Sequence, residues 1–147
     1  MRVQIIIAGK PALAYAKSGV EEYLRRLGRF GRHEIISIKA GSSDDVSTRL
    51  LERSVGTYRI ALDERGEALS SREFALLLDE LAGRGEIKCV SFLIGAADGH
   101  NPALRKSADR VISLSSLTLQ HELALLVLME QLYRAASLRQ GMPYHRD

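Results

Sequence analysis

A single cysteine, Cys89, stands in 147 residues, which excludes an internal disulfide framework and any C-x-x-C metal or redox pair. It lies in the apolar run KCVSFLIG, where a buried, inert thiol is expected. Long hydrophobic runs are missing too. The longest, LALLVLM, is far short of the ~20 residues of a membrane span. The opening MRVQIIIAGKPALAYAK has a strand-length apolar stretch but neither the h-region nor the cleavage pattern of a signal peptide. A cytoplasmic protein with no membrane association is therefore expected. Repeats, low-complexity tracts and Pro/Gly/Ser-rich linkers are absent, so residues 1–147 read as one domain. No G-x-G-x-x-G fingerprint, G-x-x-x-x-G-K-[ST] phosphate loop or G-x-S-x-G nucleophile elbow occurs. His33, His100, His121 and His145 have no metal-ligand spacing, and no metal is expected.

What is present describes an ordinary globular chain, 46% hydrophobic and 27% charged, with a net charge of +3. Its pI near 9.2 leans toward acidic partners such as RNA, although basicity alone does not select nucleic acid. Strand and helix patterns alternate from end to end. VQIIIAG and IKCVSFLIG are continuous apolar runs, the mark of strands buried on both faces. HEIISIKA, TYRIALDE and RVISLS add three more. Helices are expected over residues 12–29, around DVSTRLLER, behind the capping-box spacing Ser70–Glu73, from Asn101 and Pro102, and from Gln120 to Gln140. Gly83 and Gly85 are expected to end the third of these. The pattern predicts an α/β fold, a mostly parallel sheet with helices on both faces. In such sheets ligands bind beyond the carboxyl ends of the strands.

Three segments occupy those ends: LDERG, IGAADGHN and LSSLTLQHE. Gly95 and Gly99 around Asp98 suit a strand-to-helix turn, or a backbone that a ligand approaches closely. Ser115, Ser116 and Thr118 alternate with Leu114, Leu117 and Leu119 directly before a helix. That pattern suits helix capping, or an adenine or ribose held by main-chain bonds between apolar walls. The helix itself is apolar around nearly its whole circumference from Leu123 to Met129, so it must be covered on all sides. One side can face the sheet; a homodimer symmetric about this helix is expected to cover the other. The terminal GMPYHRD sets a phenol, an imidazole and a guanidinium side by side in Tyr144, His145 and Arg146, where terminal residues are usually chemically bland. RRLGRFGRH clusters Arg25, Arg26, Arg29 and Arg32 as either a solvated face or a phosphate-binding one.

LIGAADG, SLSSLTLQHELALLVLMEQLYRA and the final YHR together resemble the large-subunit (23S) ribosomal RNA pseudouridine N3-methyltransferases of the SPOUT superfamily. IIIAGK, EYLRRLGRF and ALDERG extend the resemblance over the whole chain. It implies a C-terminal deep trefoil knot, with knot and cofactor site in about residues 87–147, and a homodimer. It implies S-adenosylmethionine as cofactor, held by Leu62, Gly95, Leu114, Ser115, Ser116, Leu117, Thr118 and Leu119. The substrate it implies is a pseudouridine of large-subunit ribosomal RNA, on the assembled ribosome. The chain departs from the family pattern at Ala96, where a second glycine is usual, and at Gln120, where proline is usual.

Methyl transfer to the ring N3 requires alignment and removal of a proton. The tail offers the groups for this: His145 as proton acceptor, Tyr144 to stack on a base, Arg146 for phosphate, in its own pocket or a neighbour's. His121 competes for the base role, and Arg134 faces either the active site or a partner. The residue patterns alone also fit a non-catalytic, flavodoxin-like dimer that binds a nucleotide or RNA.

Overall fold

In β1 (Arg2–Ala8) the successive side chains Ile5, Ile6 and Ile7 are all inaccessible to solvent, which requires cover on both faces of the strand. The structure, a computed structural model, describes all 147 residues. After β1 come α1 (Ala14–Leu27) with a 3-10 turn (Gly28–Phe30), β2 (His33–Ile38), α2 (Ser43–Arg53), β3 (Tyr58–Ala68) and α3 (Ser71–Gly83). β4 (Cys89–Ile94), α4 (Pro102–Ser107), β5 (Arg110–Ser113) and α5 (His121–Arg139) complete the chain. The strands form one sheet in the order β2-β1-β4-β3-β5, and every pair is parallel. Strand alternation sorts the core into two layers. Ile5, Ile7, Phe92 and Ile94 pack beneath α1, α3 and α5, whereas Ile6, Leu93 and Ala61 pack beneath α2 and α4.

Local chemistry sets the helix starts. Ser42 Oγ accepts from Asp45 N, Ser70 and Glu73 form a reciprocal capping box, and Asn101 Oδ1 accepts from Leu104 N ahead of Pro102. α3 ends at the expected glycine, though by another geometry. It stops at Gly83 with Arg84 in extended backbone, so no left-handed glycine closes it. α5 exposes no residue from His121 to Leu138, since it lies on the sheet between α1 and α3. Three neighbours from the same chain thus account for much of its apolar circumference. No helix is long and apolar enough to cross a membrane.

One irregularity shapes the ligand end of the sheet. β3 pairs with β5 through Ile60–Leu62, then slips register, so that Leu62 and Glu67 both oppose Ile112. The intervening Asp63–Gly66 leave the ladder. Gly66 returns so close to β5 that a Cβ there would lie 2.7 Å from the Val111 carbonyl carbon and oxygen. Only glycine fits that crossing.

Candidate active site

Beyond the carboxyl ends of β3, β4 and β5 lies a cavity of about 750 Å³, within the range of small-molecule sites. The β3 excursion, the loop after β4 and the segment entering α5 wall it. Of the eight sequence-derived contacts, Leu62, Gly95, Leu114, Ser115, Leu117, Thr118 and Leu119 line the cavity. Ser116 is exposed and does not. His121 stands in the lining; Tyr144, His145 and Arg146 do not.

Hydrogen bonds hold this wall in shape. Ser113 Oγ donates to Ser115 O at 2.7 Å, and Ser115 Oγ accepts from Leu117 N at 2.9 Å, curling the segment after β5. Thr118 Oγ1 donates to Glu64 at 2.5 Å, joining that segment to the β3 excursion. Asp63, only 5% exposed at its side chain, receives both Nε and Nη2 of Arg65 at 2.9 and 2.8 Å. The Arg65 guanidinium holds the Asp63 carboxyl below the usual range, against the opposing effect of burial.

Gln120, the departure from proline, is the N-cap of α5: its Oε1 accepts from Glu122 N and Leu123 N at 2.9 and 3.0 Å. Its amide nitrogen then donates to His121 Nδ1 at 3.1 Å, which leaves the proton of a neutral His121 on Nε2. Glu122 reaches back to Ala12 N and Leu13 N at 2.5 and 3.0 Å, tying the loop after β1 to α5. Ala96, the other departure, lines the cavity and also packs on the core beneath α2 and α4.

The tail folds onto the chain elsewhere. Tyr144 meets Tyr133 edge-on at 4.7 Å, and its hydroxyl lies 3.0 Å from Tyr23 Oη and 3.1 Å from the Glu130 carboxylate. Burial, then Tyr23 and Glu130, push its phenol up. Arg134 pairs with Glu130, lies over the Tyr144 ring and donates to His145 Nδ1 at 3.0 Å. His145 Nε2–H donates to Asp147 at 2.9 Å, and Arg72 grips both Asp147 oxygens. Both nitrogens of His145 are thereby engaged. Arg146 is exposed. Glu130 lies nine positions along α5 from His121, about 14 Å at ~1.5 Å per residue, so the docked tail stands well away from this cavity.

In the arginine cluster, Arg25 and Arg26 pair with Glu22, while Arg26 also lies over the rings of Tyr23 and Tyr133. Sequence patterns missed Asp63, Glu64, Arg65 and His100 as cavity residues. LDERG marked the right loop, but nothing in it signalled the register slip that turns it inward.

Three comparisons with known proteins bear on the site. A family model described as "Predicted SPOUT methyltransferase" matches residues 1–145. A Ribosomal RNA large subunit methyltransferase H of Thermus thermophilus is 49% identical over 146 residues, with 99% of each chain covered. That of Deinococcus radiodurans is 43% identical over 148 residues, again with 99% of each covered. Among solved structures, a probable methyltransferase from Bordetella pertussis superposes with a TM-score of 0.62 at 19% identity, covering 92% of this chain and 94% of that one. This last likeness concerns the fold alone.

Proposed function

The chain belongs to the SPOUT methyltransferase family, and from that premise we propose that it uses S-adenosylmethionine to methylate N3 of a pseudouridine in large-subunit ribosomal RNA, on the assembled ribosome in the cytoplasm. The observation that carries this reading is the cavity, which gathers seven of the eight residues carried over from the family, with His121 beside them. Its residues suit the cofactor. Leu62, Ile94, Leu114 and Leu119 offer apolar walls for a flat base, and Glu64 and Asp98 offer negative charge to a cationic ligand, while Arg65 neutralises Asp63. When bound, S-adenosylmethionine supplies a methyl group on a positively charged sulfur.

The chain's own part is to place N3 in line behind that methyl and to take its proton. As the N3–C bond forms and the C–S bond breaks, the N3 proton passes to an imidazole; the other product is the neutral thioether. Alignment of this kind is worth up to roughly 7–11 kcal/mol in favourable cases. His145 is the proton acceptor in this reading. Its Nδ1 lone pair, held by Arg134 in the docked tail, becomes free when arriving RNA draws that guanidinium to phosphate. Tyr144 then stacks on a base and Arg146 meets the backbone. His121 is the alternative acceptor, through the tautomer that frees Nε2.

The distance between tail and cavity within one chain supports a homodimer in which each tail serves the partner's cavity. Leu13 and Tyr15, exposed at the start of α1, and Leu117, exposed at the cavity rim, supply apolar surface for it. The same reading includes a trefoil knot in about residues 87–147, as the resemblance to the family implies.

The test is labelled-methyl transfer from S-adenosylmethionine to ribosomes lacking the modification. It compares the full chain with one stopped after Gln140. The full chain labels large-subunit RNA; the shortened one binds cofactor and does not. Equal labelling would remove the tail from the site and leave His121 as base. No labelling by a folded full chain would favour a nucleotide-binding module. Mixing tail-less subunits with full-length Gly95→Val subunits, whose own cavity is blocked, restores labelling if tails act across the dimer.

A further inference from the structure

His145 is held from two sides. Its side chain is only 10% exposed, although Arg146 and Asp147 beside it are open to solvent. Nε2 lies 2.9 Å from Asp147 Oδ1. A carboxylate only accepts, so Nε2 carries the ring proton. Nδ1 lies 3.0 Å from Arg134 Nη1. A guanidinium only donates, so Nδ1 carries the lone pair. Contacts at both ring nitrogens therefore demand the same neutral tautomer, and it is the one that a base acting through Nδ1 needs.

Asp147 is itself anchored. Arg72, near the start of α3, donates from Nε to Oδ1 at 2.9 Å and from Nη2 to Oδ2 at 2.7 Å. That bidentate geometry fixes direction as well as distance. Arg72 first, then His145, hold the Asp147 carboxyl far below its usual range, against burial, so it stays ionised at neutral pH. The Arg72 and Asp147 side chains are 57% and 72% exposed, and as an ion pair they add little to stability. What the pair does is aim a carboxylate at the imidazole of the tail. The other charged and titratable groups around that ring are Glu130, which holds Arg134 from α5, and Tyr144, whose hydroxyl meets Glu130 and Tyr23 of α1. Asp147 is the sole acceptor that Nε2 has.

We propose that Asp147 is the positioning carboxylate of His145 and that Arg72 is its anchor, a chain of contacts running from α3 through the tail to the imidazole that takes the N3 proton. This rests on the reading above in which His145 is that base, acting from the docked tail. As N3 bonds to the methyl carbon and the C–S bond breaks, the N3 proton moves to Nδ1 and neutral His145 becomes an imidazolium. Asp147 then faces a cation instead of a neutral ring, and the Nε2–H bond to it strengthens as that charge develops. A contact that is stronger in the transition state than in the ground state raises kcat and leaves KM alone.

The test is labelled-methyl transfer to ribosomes lacking the modification, with kcat and KM measured separately on the full chain. Asp147→Asn lowers kcat about tenfold at unchanged KM, the low end for a charge-assisted hydrogen bond because the carboxylate is exposed. Asp147→Glu recovers part of that loss. Arg72→Gln lowers kcat about three- to tenfold, and in the double variant the two losses do not multiply, since Arg72 acts through Asp147. Both side chains are exposed, so the variants keep the fold. Long-range proton–nitrogen correlation of nitrogen-15-labelled histidine gives a readout independent of turnover: the wild-type ring shows a protonated Nε2 and a bare Nδ1, and the Nε2 resonance moves in Asp147→Asn. Wild-type kcat in Asp147→Asn while His145→Gln is inactive overturns the proposal and keeps the base. Losses that multiply in the double variant, or an unmoved Nε2, overturn it as well. Wild-type kcat in His145→Gln, or no labelling by the wild type, removes the base reading and this proposal with it.

Discussion

Gly66→Ala tests how β3 and β5 make the cavity wall. A Cβ at residue 66 would lie 2.7 Å from Val111 C and O and 2.8 Å from Ile112 C, all backbone atoms. Ordinary contact begins near 3.4 Å, so the strands must part by about 0.7 Å. A ladder bond of ~2.9 Å would stretch to ~3.6 Å, beyond hydrogen-bonding range. The pairs Glu67–Ile112 and Ala68–Ser113 bear that strain. Two lost bonds at ~1 kcal/mol each, with overpacking of ~1–3 kcal/mol, give a destabilisation of about 3–5 kcal/mol. At roughly 2–4 °C per kcal/mol for a chain of this size, Tm falls by about 6–20 °C. Cofactor affinity falls with it, because Asp63, Glu64 and Arg65 ride on the same excursion. Gly83→Ala is the control: its Cβ meets nothing within 4 Å and its φ is ordinary, so it stabilises by about 0.4–1 kcal/mol. Calorimetric melts and cofactor titrations of both variants decide the matter. A Gly66→Ala protein with wild-type Tm and affinity would refute the crossing.

Gln120→Ala removes the cap of α5 at Glu122 N and Leu123 N and costs about 0.5–2 kcal/mol in denaturant unfolding; an unchanged midpoint would show that the cap is idle. Glu122 has its carboxyl pKa lowered chiefly by Leu13 N–H, then by Ala12 N–H, against burial. A depressed folded pKa gives stability that is present above the unfolded value of about 4.5 and lost as pH falls through the folded value. The Tm gap between wild type and Glu122→Gln should therefore be widest near neutrality and narrow in acid, and a gap constant down to about pH 3 contradicts that origin. Arg25, Arg29 and Arg32 are exposed, so changing all three to Gln tests them as phosphate ligands while sparing Arg26, which packs on Tyr23 and Tyr133. Removing one phosphate ligand flattens the log–log salt dependence of RNA binding by about 0.7–0.9; an unchanged slope makes the cluster a solvated face.

The parts of this molecule that were legible in its sequence are those written in local chemistry. Continuous Ile and Val runs in β1 and β4 declare strands covered on both faces, and Ser70–Glu73 and Asn101–Pro102 declare helix starts, because each signal lies within a few residues of its effect. The cavity's late walls were legible for the same reason, as Leu114–Leu119 alternates directly ahead of α5. Asp63–Gly66 were not, since their departure from the ladder depends on where β5 runs, some 45 residues later. His100 was hidden likewise: its ring joins the cavity wall only because Leu93, Gly95 and Asp63 surround it in space. The tail is the instructive middle case. Its residue types announced chemistry, yet its docking on Tyr23, Glu130, Arg134 and Arg72 sets it apart from the cavity of its own chain. Composition reveals what a segment can do, and only the fold reveals for which site it is placed to do it. In the proposed dimer each tail serves the partner's cavity, which is why the mixed-subunit experiment bears more directly on mechanism than any single substitution in the tail.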